Sequence, residues 1–466
     1  MESVNKSRPL TSPKLVLEGL IWVVLVLIAW WWTLSTTGGE SRFSIIYSSA
    51  LSVGAGVRVF VGHGRGTITA TGLFGLSTAM FVGYSGFLIM DQSYIQAGWK
   101  NLALASTAAL TAQVITSMLS WGREDRFQRN PIWTDTAVST WLSNLGLIAL
   151  TLAVVGHLVI PPLRSWTEAA AFTAICLLSA GLVLRKSIRL VSWRTLVIIC
   201  LSLLYAEFFH SGGGRLRIVA LACAVALIFS LRFPLRRVKI LIVAIIPFVL
   251  GWLARERLEL QESLALGASE GRTGLESMIA PLKVFSLLIQ ALQERQFEPS
   301  YGYNLLSVPA LIIPKSVWPT QPPALGYELV QFSAPERYAD GVYSTVATST
   351  GEGFFNFGWF GLLFVVILAT IFLRTLDSYL GRYSHTENIT LFVVLGLILI
   401  AMLAGSVADY TWSGVHTYVA RMIKRLPLFL VILLLAWMRD MSQSRGNIDS
   451  RINGRAHIRA FRLVSP

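Results

Sequence analysis

Apolar runs about 20 residues long recur along this chain, and nothing constrains its folding more. A run of that length crosses the hydrocarbon core of a bilayer as a helix, which satisfies its backbone N–H and C=O groups internally. Twelve are predicted, near 15–34, 43–62, 69–90, 101–121, 137–160, 167–184, 193–210, 217–232, 239–254, 356–374, 388–409 and 420–438. Of the 466 residues only 14% are charged, against roughly a quarter in a soluble domain. A soluble enzyme, a disordered chain and a disulfide scaffold are excluded. Cys176, Cys200 and Cys223 lie far apart inside apolar runs, without metal or redox spacing. The first run has no small-residue cleavage site. Its Trp30, Trp31 and Trp32 read as an interfacial anchor, not part of a signal peptide.

The formal charge of +14 sits in short clusters between the apolar runs, a pattern of membrane topology and not of nucleic-acid binding. Arg123, Arg126 and Arg129, then Arg185, Lys186, Arg189 and Arg194, then Arg232, Arg236, Arg237 and Lys239 fall in alternate loops. These loops, with the N-terminus and the Arg-rich tail, are placed in the cytoplasm. Arg421, Lys424 and Arg425 run against the trend, opening the last span from outside. The expected organisation is nine spans in 1–254, an extracytoplasmic loop over 255–355, three spans in 356–438 and a basic cytoplasmic tail over 439–466. No internal repeat is visible. A loop that long is usually functional, so chemistry belongs on the outer face.

Within the loop, Leu275–Leu292 has an apolar stripe at helical spacing, with Pro281 bending or starting the helix. It fits a helix packed on the spans or an interfacial helix beside a lipid substrate. Tyr301-Gly302-Tyr303 and the proline-rich Ile313–Pro323 carry Tyr301, Tyr303 and Trp318, whose flat faces suit sugar rings or a membrane-interface belt. Gly351-Glu352-Gly353 leads through Asn356 and Gly358 into the tenth span. Glu352 is a helix-terminal charge complementing the dipole, or a general base at the lip of a cavity.

His210-Ser211-Gly212-Gly213-Gly214-Arg215-Leu216-Arg217 joins spans seven and eight outside. A glycine turn, a helix N-terminus and two guanidinium groups make an anion site suited to phosphate, or a lipid-headgroup contact. Arg272 and Lys315 are further cationic candidates. His157 and His416 are isolated, and the outer loop has no Asp-x-Asp pair to hold a metal with a diphosphate. No cofactor or metal is expected.

On Gly212-Gly213-Gly214-Arg215, Tyr301-Gly302-Tyr303 with Ile313-Pro314-Lys315-Ser316-Val317-Trp318-Pro319-Thr320-Gln321-Pro322, and Gly351-Glu352-Gly353-Phe354-Phe355-Asn356-Phe357-Gly358, the chain resembles the O-antigen polymerase (Wzy-type) family. The likeness covers roughly residues 210–362. Some members carry Arg-x10-Gly in outer loops; here Lys315 followed by Gly326 is the nearest analogue. The resemblance implies an all-α integral membrane protein of about twelve spans, multi-pass in the bacterial cytoplasmic membrane with both termini inside. Its activity would be metal-independent, inverting glycosyl transfer. Donor and acceptor would be oligosaccharides on polyprenyl diphosphate, with a chain-length regulator as a further partner. Arg215, Arg217, Arg272 and Lys315 would hold the diphosphate, Arg215 and Glu352 would be catalytic, and Tyr301, Tyr303, Trp318 and Asn356 would hold sugars.

Two other functions fit the layout. An O-antigen ligase shares it, but no clear outer-loop histidine base stands in the sequence. A flippase or other transporter of lipid-linked oligosaccharide should place charged residues at mid-membrane; deep ionisable candidates are few, chiefly Glu18 and Arg58, and a structural role fits both.

Overall fold

The structure is a computed structural model and describes residues 13–90, 96–121, 135–185, 192–209, 215–233, 235–263, 276–310, 325–335, 344–384 and 390–462, with Ile313 and Trp318. Among these it is helical without a strand. The long helices are α1 (Pro13–Ser35), α2 (Ser41–Gly62), α3 (Ala70–Ile89), α4 (Gly98–Ser120), α5 (Thr136–Val159), α6 (Arg164–Val183) and α7 (Trp193–Phe208). They continue as α8 (Arg215–Ser230), α9 (Arg236–Ser263), α10 (Glu276–Gln293), α11 (Ser349–Phe357), α12 (Phe360–Ser384), α13 (Leu391–Gly405) and α14 (Val407–Arg462).

Seven helices among the described residues are long and apolar enough to cross a membrane: those within α1 to α6 and α12. The pair α13 and α14, bent by 81°, makes an eighth if counted as one broken span. Their outward faces carry large exposed apolar side chains, among them Leu27, Trp31, Leu152, Leu158 and Leu363. Water would penalise such a surface, whereas lipid accepts it. The chain is therefore a helical membrane protein.

Small residues set how closely the first helices approach. Cβ atoms added to Gly56 of α2 or Gly75 of α3 would press on the facing backbone or on Ala79, so this crossing brings backbone against backbone. Hydroxyl groups bind α1, α2 and α4: Thr107 lies 2.8 Å from Thr33 and 2.9 Å from Ser48. At one end of the bundle, Asp377 of α12 accepts the backbone N–H groups of Ala70 and Thr71 at 2.7 and 3.1 Å. Those N–H groups open α3 and have no intrahelical acceptor.

The structure bears on several expectations. Of the three tryptophans, Trp31 is exposed, while Trp30 turns inward and donates to Thr111 at 2.8 Å. Of the two placements expected for the stripe of α10, the packed one is found: Ile279, Leu282, Phe285, Leu288 and Ile289 are buried with Leu102 of α4 and Phe354 of α11. Residues 410–419, expected as an outer connection, are helical. Helix α9 runs to Ser263, nine residues beyond the predicted end of its span, and α14 carries helix through the predicted tail to Arg462.

Candidate functional site

At the end of the bundle where residues 325–335 and 344–348 pack, a cavity of about 420 Å³ opens between α6, α7, α8 and α14. Glu168 of α6, Tyr205 of α7 and Arg217 of α8 form one side. His416, Arg421, Lys424 and Arg425 of α14 form the other, and Gly326, Tyr327, Ser344 and Thr345 cover it. The two covering strips are tied by the Thr345 N–H donating to the Gly326 carbonyl at 2.9 Å.

Among the described residues, four cations line this space against one lining carboxylate. Arg217 is ion-paired with Glu168, whose other oxygen lies 3.4 Å from the Tyr205 hydroxyl. Arg421 pairs with Asp409, which is fully buried. The Arg425 guanidinium donates to the Ser406 hydroxyl at 2.5 Å and sits 3.6 Å above the Phe172 ring. Each arginine is thereby aimed before any ligand arrives, and their combined field favours a multiply charged anion.

The cationic wall depends on a break in α14. Gly414 has φ 80° and ψ −163°, a region open in practice only to glycine. The helix restarts at Val415 with unpaired N–H groups, and Glu352 of α11 caps them. Its carboxylate accepts from Val415 N–H at 2.5 Å and from His416 N–H at 3.2 Å. Burial outweighs these two donors and raises the Glu352 carboxyl from 4.5 to about 7. Glu352 itself is capped into place: Thr348 accepts the Gly351 N–H at the start of α11.

The sequence-selected residues divide accordingly. Arg217 lines the cavity. Arg215 opens α8, but its side chain, like Arg272 and Lys315, lies outside the described residues. Glu352, expected at the lip of a cavity, is 4% exposed and turned to the helix break, away from the cavity lining. Asn356, expected to hold sugar, is buried and engaged at both ends. It donates to the Glu352 carbonyl and accepts from the Ser300 hydroxyl, each at 2.9 Å. Tyr301 and Tyr303 are 79% and 57% exposed, the first thrown outward by the positive φ values of Tyr301 and Gly302. Trp318 is 37% exposed, and none of the three lines the cavity.

Arg421, Lys424 and Arg425 were legible only as charges in the wrong place for topology, and that anomaly is the signal that marks them. His416 gave no signal. It is a lining residue of the cavity, it is 8% exposed, and its Nε2 is buried with no hydrogen-bond partner among the described residues. Glu168 and Tyr205 belong to the site only through packing. No family model, curated protein or solved structure matches this chain.

Proposed function

We propose that the chain is a glycosyltransferase of about twelve spans in a bacterial cytoplasmic membrane, polymerising polyprenyl-diphosphate-linked oligosaccharide units on the outer face. The observation that carries the reading is the convergence of Arg217, Arg421, Lys424 and Arg425 on one covered cavity. A diphosphate ester matches that charge, its lipid tail matches the surrounding bilayer, and a cavity covered by Gly326, Tyr327, Ser344 and Thr345 leaves room for sugars. Tyr301, Tyr303 and Trp318 offer exposed aromatic faces nearby in sequence to the covering strips.

In the reaction, an acceptor hydroxyl oxygen bonds to the anomeric carbon as the bond to the diphosphate oxygen breaks. The bonding pair leaves with the diphosphate, where the four cations disperse the charge. The hydroxyl proton passes to His416, the imidazole-bearing residue in the cavity lining. Attack opposite the leaving group inverts the anomeric centre. Glu352 holds the restarted helix that carries His416 and the cations, a positioning role in place of the expected base.

His416 also favours a second reading, the ligase, which moves finished glycan from the same donor to a lipid core. Reconstitution in proteoliposomes with a defined lipid-linked repeat unit separates the two. A ladder of products that collapses in Lys424→Ala supports polymerase; transfer only to an added core lipid supports ligase. No transfer to either acceptor by wild-type chain refutes both.

A further inference from the structure

At the opposite end of the bundle from the cationic cavity lies a second cavity, of about 350 Å³, between α1, α2 and α4. Most of its lining is apolar: Val16, Leu20, Val23, Val59, Val114 and Met118. Val16, Leu20 and Val23 are exposed, so the slot opens outward to where lipid lies. One ion pair stands in it. The Arg58 guanidinium donates to Glu18 Oε2 at 2.8 Å, and the side chains remain 43% and 29% exposed. The guanidinium carbon lies 4.9 Å from the centre of the Trp121 ring, and a Cβ at Gly62 would overlap the guanidinium. Glycine there and the indole beside it keep the arginine in place.

Position along the helices puts the pair at headgroup depth. Glu18 lies in the second turn of α1, Arg58 lies four residues before the end of α2, and Trp121 directly follows α4. A guanidinium has five N–H donors, and Glu18 is the one hydrogen-bond partner recorded for Arg58 among the described residues. Half-exposed charges of both signs beside an apolar slot are costly against hydrocarbon. They are complementary to a headgroup that also carries both signs.

We infer that this cavity binds a zwitterionic phospholipid with a primary amine, of the phosphatidylethanolamine class. Its phosphate accepts from Arg58, its ammonium donates to Glu18, and an acyl chain fills the slot toward Val114. A primary ammonium donates hydrogen bonds, so it engages Glu18 where the quaternary ammonium of phosphatidylcholine cannot. Phosphatidylglycerol meets Arg58 but leaves Glu18 facing its uncharged glycerol. The site is independent of the proposed reaction and lies at the other end of the bundle.

The test is native mass spectrometry of the full chain, released from detergent after incubation with equimolar dioleoyl phosphatidylethanolamine, phosphatidylcholine and phosphatidylglycerol. Wild-type chain should retain the ethanolamine lipid roughly tenfold over the other two, the worth of one charge-assisted hydrogen bond. Glu18→Gln should shift the preference to phosphatidylglycerol, and Arg58→Ala should abolish retention of both. Equal retention of the three lipids by wild-type chain overturns the proposal whether or not the variants fold. So does an unaltered lipid profile in Glu18→Gln, which would leave the pair as mutual neutralisation alone.

Discussion

Replacing Gly414 by alanine tests the architecture of the site without reference to any substrate. The φ of 80° and ψ of −163° are strained for any residue with a Cβ, at roughly 1–3 kcal/mol. The added methyl would overlap the Glu352 carboxylate and stand 3.0 Å from its Cβ. Relief by moving Glu352 strips the buried N–H groups of Val415 and His416 of their acceptor, at about 1–3 kcal/mol for each. The sum is a loss of roughly 3–9 kcal/mol, placed at the joint that holds His416 and Arg421 in the cavity wall. Tryptophan fluorescence in detergent should show a melting midpoint lowered by on the order of 5 °C or more. Because the clash and the cap share one carboxylate, Gly414→Ala with Glu352→Ala should cost less than the sum of the two single changes. A Gly414→Ala chain with wild-type melting, or strict additivity in the double variant, refutes the account of α14 as a helix broken at Gly414 and restarted on Glu352.

Two more outcomes follow from the same geometry. Glu352 keeps its proton in the folded state up to about pH 7, against 4.5 for an ordinary carboxyl, so its contribution is fully present below pH 4.5 and lost as pH rises toward 7. Stability should fall by roughly 3 kcal/mol across that window, and Glu352→Gln should flatten the fall; an unaltered melting-versus-pH curve in the variant refutes it. Arg421→Ala leaves the fully buried Asp409 without its ion-pair partner and should destabilise by about 3–5 kcal/mol. Adding Asp409→Asn should restore much of the melting temperature without restoring binding of inorganic pyrophosphate; equal melting of Arg421→Ala and wild type would show that the pair is not what keeps Asp409 buried.

Where the signal was local, a residue's place in the structure was legible. Arg217 was selected for its place after a glycine turn at a helix start, and it lines the cavity. Glu352 was selected for its place near a helix start, and there the sequence could not say which helix it served. Its partners, Val415 and His416, are more than sixty residues away and belong to a helix whose break was taken for a loop. Gly414 looks like any glycine in an apolar segment until its backbone angles are known. Asn356 has the polarity of a sugar ligand, but Ser300 and the Glu352 carbonyl use it first.

By itself the sequence determined that this chain is helical and lives in a membrane, because span length and hydropathy act within twenty residues and need no partner. It also showed Arg421, Lys424 and Arg425 as a cluster opposing the charge trend of the other loops, which snorkelling to the interface would accommodate equally well. Only the tertiary structure decided that Arg217 joins them, that His416 stands beside them and that Glu352 supports them from behind. Those relations depend on which helices lie side by side. That is settled by small residues such as Gly56 and Gly75 meeting backbone to backbone and by hydrogen bonds such as that of Asp377 to α3, contacts that the order of residues along the chain does not encode locally.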